Sequence, residues 1–126
     1  MSEAFFSSKE KRMFSKALLA AKRRAIKKNI PFKISVKDVF DAFKSQSGKC
    51  YYSNLTMNII KNSDDSLHDP YKMTIDCLIP VDGYVKGNIV WCLYCINSFK
   101  QRMSEKEMMA ICHNMLVKEK KISIIE

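Results

Sequence analysis

The sequence predicts an α+β domain: basic helices at the N-terminus, a strand–loop–strand–helix unit, and a C-terminal helix. Three observations lead there. Residues 8–28 run without a helix breaker and are studded with Lys and Arg. Two short runs rich in β-formers, KMTID and NIVWCL, flank a loop holding two of the chain's three glycines. Three Ser-x-x-acid tetrads, beginning at Ser7, Ser35 and Ser104, read as capping boxes that open helices.

Element by element, the first helix starts at Ser7 with Glu10 and ends before Asn29 and Pro31. Met13, Ala17, Ala20 or Ala21, and Ala25 form its narrow apolar stripe. Around that stripe lie nine cations, Lys9, Lys11, Arg12, Lys16, Lys22, Arg23, Arg24, Lys27 and Lys28, offset only by Glu10. After Pro31, Phe32-Lys33-Ile34 reads as a short extended piece. Ser35 and Asp38 cap a second helix whose Val36, Val39, Phe40 and Phe43 share a core face. Ser47 and Gly48 end it, and Lys49 to Tyr52 begin a further extended piece. Residues 61–71 form a polar loop. Past the glycine loop, Tyr94 to Gln101 make a short helix, and Ser104 with Glu107 opens a last one reaching about Lys118. KISIIE, at the end, is a strand or a fraying tail.

At 126 residues the chain predicts a single domain, 1–126. Its parts are a basic helical portion (1–48), a central unit (49–103), and a C-terminal helix with tail (104–126). Lys and Arg outnumber Asp and Glu 22 to 13, a net charge of +9 that favours a polyanionic partner. Crowded cations on one helix repel each other unless phosphate lies between them. Lys22, Arg23, Arg24, Lys27 and Lys28 are therefore the expected nucleic-acid contacts, of the kind that position a protein without reading sequence. No apolar run has the length of a membrane span, and no basic-then-apolar leader opens the chain. Five cysteines, an odd number, suit a reducing interior, so an intracellular, soluble protein is expected.

Between residues 74 and 100 the sequence gathers its chemistry. Asp76, at the end of a strand, offers a hard carboxylate suited to Mg²⁺ or Mn²⁺. Gly83 and Gly87 allow turns that a side chain would forbid. Asn88 can bond across the loop and hold the two strands in register. Asn97, on the following helix, can present its carbonyl oxygen to the same ion, with Lys100 one turn on toward a phosphate. The same residues also suit an ordinary hairpin.

The order "CYYSNLTM", "TIDCLIP", "GYVKGNIV", "CLYCINSFK" resembles the HNH endonucleases, specifically small phage- and virus-type members. The resemblance covers about residues 10 to 115 and is most specific in the last two segments. It implies a ββα-metal unit: a two-stranded ribbon and a helix around one divalent cation, Mg²⁺ or Mn²⁺, at the backbone of duplex DNA. By the same resemblance Asp76 and Asn97 are metal ligands, Asn88 orients the loop and the general base, and Lys100 is the lysine that often follows. Asp76, Cys77, Asn88, Asn97 and Lys100 are then the catalytic set. The implied activity is metal-dependent hydrolysis or nicking of DNA.

Two departures stand out. Cys77 occupies the position that usually holds the base histidine, and a thiol serves there only with a lowered pKa. His68, in the polar loop, is the other candidate base. Asn54 stands where the first motif carries glycine, which suggests a relaxed turn. The alternative reading keeps the scaffold without the reaction, as a nucleic-acid-binding subunit of a larger assembly, for DNA or RNA. Cys50, Cys92 and Cys95 are three-quarters of a zinc site that needs a fourth ligand such as His68 or Cys77. Otherwise Cys92 and Cys95 are small buried apolar residues. Trp91 and Tyr94 read as packing residues, and the Met-rich face of the last helix as core or a partner surface. Cys112 and His113 suggest no role.

Overall fold

The computed structural model describes residues 7–58 and 69–120. Its helices and small sheets make an α+β fold in the order α1 (Ser8–Lys28), β1 (Phe32–Lys33), α2 (Val36–Ser45), β2 (Met73–Cys77), β3 (Tyr84–Val85), β4 (Ile89–Leu93), α3 (Tyr94–Lys100) and α4 (Glu105–Lys118). Glu10's side chain, His68 and the KISIIE tail lie outside the described residues, so the first capping box, that base and that tail go undescribed.

The central ribbon pairs β2 with β4 antiparallel, Met73 opposite Leu93 and Cys77 opposite Ile89. All five β2 residues are buried, because α1 covers the ribbon on one side and α3 folds directly back from β4. Carbonyls of Pro70 and Lys72 accept from the N–H groups of Cys95 and Tyr94, satisfying the first turn of α3 without a side-chain cap. Strand, loop, strand and helix thus follow in the order the sequence suggested.

α1 docks through Phe14, Ala17, Leu18, Ala21 and Ala25, a stripe at i, i+3, i+4, i+7 and i+11. It is centred on Phe14 rather than Met13, since Phe14 reaches the aromatic cluster of Phe40, Phe43 and Trp91 at centroid distances of 5.1–6.0 Å. On α2, Val39, Phe40 and Phe43 are buried as expected, but Val36, in the first turn, stays 44% exposed. The Ser35–Asp38 and Ser104–Glu107 capping boxes are both formed. Trp91 donates its indole N–H to the Val39 carbonyl at 2.7 Å, satisfying the one polar atom of a fully buried ring.

Residues 49–56 are not extended. Cys50 and Leu55 bond across a tight turn, with only Lys49 and Thr56 bridging, and Asn54 sits at φ +62°. Asparagine tolerates that left-handed conformation better than most residues, so it does a glycine's work there and the turn is tight rather than relaxed.

β1 and β3 pair in parallel, Phe32 beside Tyr84, and fix the glycine loop against the end of α1. Gly83 has φ +76°, and a Cβ there would lie 2.5 Å from the Pro31 carbonyl oxygen. Gly87 has φ +87° with open space around it. Gly83→Ala should therefore cost about 2–4 kcal/mol in urea unfolding, since strain and backbone collision add. Gly87→Ala should lose only the ~1–2 kcal/mol of an unfavourable φ. Equal losses would show that Pro31 yields freely.

Candidate functional site

The end of β2, the start of the glycine loop, α1 and α3 enclose a cleft of about 290 Å³. Asp76, Cys77, Asn97, Arg24, Lys28 and Arg102 are among the residues lining it. A shallower groove continues from it past Thr74, Tyr94 and Ser98. Asp76, Cys77 and Asn97 thus meet on one cavity, and two cations of the basic helix meet them there.

Asp76 is 6% exposed and held on one oxygen. Its Oδ2 accepts from the Tyr52 hydroxyl at 2.6 Å and lies 3.2 Å from Lys100 Nζ. No described residue hydrogen-bonds Oδ1, on a carboxylate that lines the cavity. Tyr52 is pushed far above the ordinary phenol range, first by burial and then by its bond to the Asp76 carboxylate, so it stays a donor. Lys100 is fully buried, its Nζ shared between Asp76 and the Cys77 carbonyl at 3.3 Å. It approaches Asp76 from inside the fold, which corrects the expectation that it faces a phosphate: one turn past Asn97, its side chain points into the core.

Asn97 donates its amide to the Ile75 carbonyl at 3.3 Å and to Thr74 Oγ1 at 3.4 Å. A carbonyl only accepts, so the NH₂ must face inward, and no described residue donates to the amide oxygen. Asp76 Oδ1 and Asn97 Oδ1 are hard oxygens of the type that Mg²⁺ and Mn²⁺ take, completed by water and phosphate. The donor set fits such an ion brought in with a phosphate. Among the described residues there is no group of three or more His, Cys, Asp or Glu placed to hold a metal. Cys50 and Cys92 are buried in the core cluster, and Cys95 packs half-buried against it.

Cys77 lines the cleft but is only 4% exposed. Burial, then the neighbouring Asp76 charge, raises its thiol to about 11, against a weaker pull from Tyr84, Arg24 and Lys100. It is a protonated thiol at neutral pH. Asn88 is spent on the loop: its side chain accepts from Ile79 N–H and donates to the carbonyls of Ile79 and Gly83. That is the strand-registering role expected of it, and none of these bonds reaches the position of a base.

Along α1 the expected contacts divide. Lys22, Arg23, Lys27 and Lys28 are exposed, and Lys28 reaches the cleft. Arg24 is half-buried, donating to the Ile75 carbonyl at 2.8 Å and to the Tyr84 hydroxyl at 3.1 Å, so it fastens α1 to β2 as well as lining the cavity. The sequence reading missed Tyr52, Tyr84 and Arg102. Arg102 had a legible signal, two residues beyond Lys100. Tyr52 did not, being 24 residues from Asp76 with no periodic relation to it.

Removing Lys100 should leave a buried carboxylate without its counter-charge. Lys100→Met is expected to cost about 3–5 kcal/mol, and Asp76→Leu/Lys100→Met less, measured by chemical unfolding. A double variant as unstable as the single would show that the loss does not come from an orphaned carboxylate. The raised thiols predict an alkaline limb as well. Cys77 keeps its proton when folded up to about 11 and loses it near 9 when unfolded, so stability holds below pH 9 and falls as pH rises toward 11. Cys77→Ala should flatten part of that fall.

Compared with family models, curated proteins and solved structures, the chain matches none.

Proposed function

We propose that the protein is a DNA-binding endonuclease of HNH type that nicks a phosphodiester at the Asp76–Asn97 cleft. Carrying this reading is one cavity lined by Asp76 and Asn97, each offering an Oδ1 atom, together with Arg24, Lys28 and Arg102. Neither oxygen has a hydrogen-bond partner among the described residues. Carboxylate and amide suit a divalent cation, and the surrounding cations suit the phosphate it must meet. The resemblance of "GYVKGNIVWC" and "CINSFK" to that family points the same way.

In this reading α1 lies along the phosphate backbone, with Lys22, Arg23, Lys27 and Lys28 displacing counterions. Lys28 and Arg102 draw one phosphate into the cleft mouth. Lys100 and Tyr52 hold Asp76 by Oδ2, so Oδ1 keeps a fixed direction. Asn97, anchored through its NH₂, aims its oxygen from the helix side. A Mg²⁺ or Mn²⁺ held by these two residues would stabilise charge on the phosphorus oxygens and on the leaving 3′ oxygen. Zinc is no part of the proposal. Duplex DNA is the proposed partner, with RNA sharing the same backbone chemistry.

A second reading rests on Cys77. A buried, protonated thiol is a poor base, and Asp76 is already neutralised by Lys100. On that ground the same cleft serves a protein that binds nucleic acid without cutting it, as a subunit of a larger assembly.

The test is a plasmid-nicking assay in Mg²⁺ or Mn²⁺ with wild type, Asp76→Ala and Cys77→His. Nicking by wild type that disappears in Asp76→Ala supports the enzyme. An inert wild type beside an active Cys77→His supports the binding protein. Separately, Arg23→Gln/Lys27→Gln/Lys28→Gln should weaken DNA binding. The slope of log affinity against log salt should also become shallower, by about 0.9 for each phosphate no longer neutralised. An unchanged slope would place the DNA elsewhere.

A further inference from the structure

Tyr94 departs from the packing role that the sequence suggests for it. At the start of α3 it is 43% exposed, and it lines the groove that leads out of the Asp76–Asn97 cleft. Lys72 holds it twice. The Lys72 carbonyl accepts from the Tyr94 N–H at 2.8 Å, and the Lys72 ammonium sits 4.7 Å from the ring centroid. The ring is thus a fixed aromatic plane in a positive field, beside the candidate site and open to solvent.

The groove has a volume of about 500 Å³ and shares Arg24, Lys28, Asn97, Gln101 and Arg102 with the cleft. Those five residues form the joint between the two spaces, and three of them are cations. α1 supplies Arg24 and Lys28, one turn apart. α3 supplies Tyr94, Asn97, Ser98 and Gln101, whose spacings of three, four and seven put them on one helix face. Ser98 and Gln101 hydrogen-bond no described residue through their side chains, so their donors and acceptors are open to a guest.

Cationic side chains, hydrogen-bonding groups and an aromatic ring therefore border one continuous space. A nucleotide unit has the matching parts: phosphate, sugar and base. The volume is that of a site for one small guest, about 300–1,000 Å³. A base that is still paired brings its partner and a second strand with it, and a duplex is far larger than that space.

We propose that the groove takes one unpaired nucleotide next to the phosphate in the cleft, its base stacked on Tyr94. The inference rests on the reading of the cleft as a nucleic-acid site, and it narrows the substrate. Duplex DNA interrupted by an unpaired nucleotide, as at a bulge, is preferred to a continuous duplex. Lys28 and Arg102 hold the phosphate at the joint, while Ser98 and Gln101 bond the sugar or the base edge. An unpaired base costs least to unstack, which is the source of the preference. Every base has a face to stack, so the site reads that a base is free rather than which base it is.

The experiment is fluorescence anisotropy with a labelled duplex and with the same duplex carrying one bulged nucleotide at its centre. EDTA is present throughout, so binding is read without cutting. Wild type should bind the bulged duplex at least about fivefold more tightly, the low end of what one base stacked on an aromatic side chain contributes. Tyr94→Leu should lose most of that preference, and Tyr94→Phe should keep it. Lys28→Gln/Arg102→Gln should weaken binding of both duplexes. These side chains are exposed, and thermal unfolding checks that each variant folds. Equal affinity of wild type for the two duplexes, or a preference that survives Tyr94→Leu, would overturn this inference and leave DNA binding in place. Affinities indifferent to Lys28→Gln/Arg102→Gln would overturn it too, by moving the phosphate out of the joint. No binding to either duplex would overturn the reading of the cleft along with it.

Discussion

The ion pair between Asp76 and Lys100 is the constraint on which the rest of the molecule turns. Both groups are taken from water, at a desolvation cost that only close geometry offsets. The 3.2 Å contact, the Tyr52 hydroxyl at 2.6 Å and the Cys77 carbonyl supply that geometry. Each partner comes from a different part of the chain: β2, the end of α3, and the turn after Cys50. Satisfying one buried charge therefore closes three segments around it. The same bonds decide which carboxylate oxygen is used up and which is left without a partner among the described residues. Stability and site are set by a single local arrangement.

Around that pair, α1 has two roles that its sequence does not separate. Its inner stripe completes the aromatic core through Phe14, while Arg24 reaches past the core to the Ile75 carbonyl. That carbonyl also receives Asn97. One backbone oxygen of β2 thus joins the basic helix and the helix that carries the candidate ligand. The distance between the basic face of α1 and the cleft is built into the strand itself.

Much of this was legible in the sequence because the signals were local. Ser35 with Asp38 and Ser104 with Glu107 formed the boxes their spacing announces, and KMTID and NIVWCL became the paired strands. Glycine at 83 and asparagine at 88 announced the loop. What escaped reading was set by distant partners. Phe14 displaced Met13 because an aromatic cluster from α2 and β4 waited for it. Lys100 turned inward because Asp76 lay within reach, whereas spacing along one helix could only assign it a face. Asn54 looked like a loosened glycine and proved to be a substitute for one. Cys77 could be flagged as a departure from sequence, but its protonation depends on burial, which no spacing reveals.

Gly83 lies so close to Pro31 that no side chain fits between them, and Tyr84 donates to the Pro31 carbonyl at 2.9 Å. The position of α1 over the cleft is thus fixed by an uncharged stop at its far end. In the proposed function ionic strength would tune how strongly the basic face holds a polyanion, but it has no lever on where that face stands. Affinity and alignment are independent variables in this fold. A change of medium would then empty the cleft without spoiling it, and the site that refilled would be the one that was left.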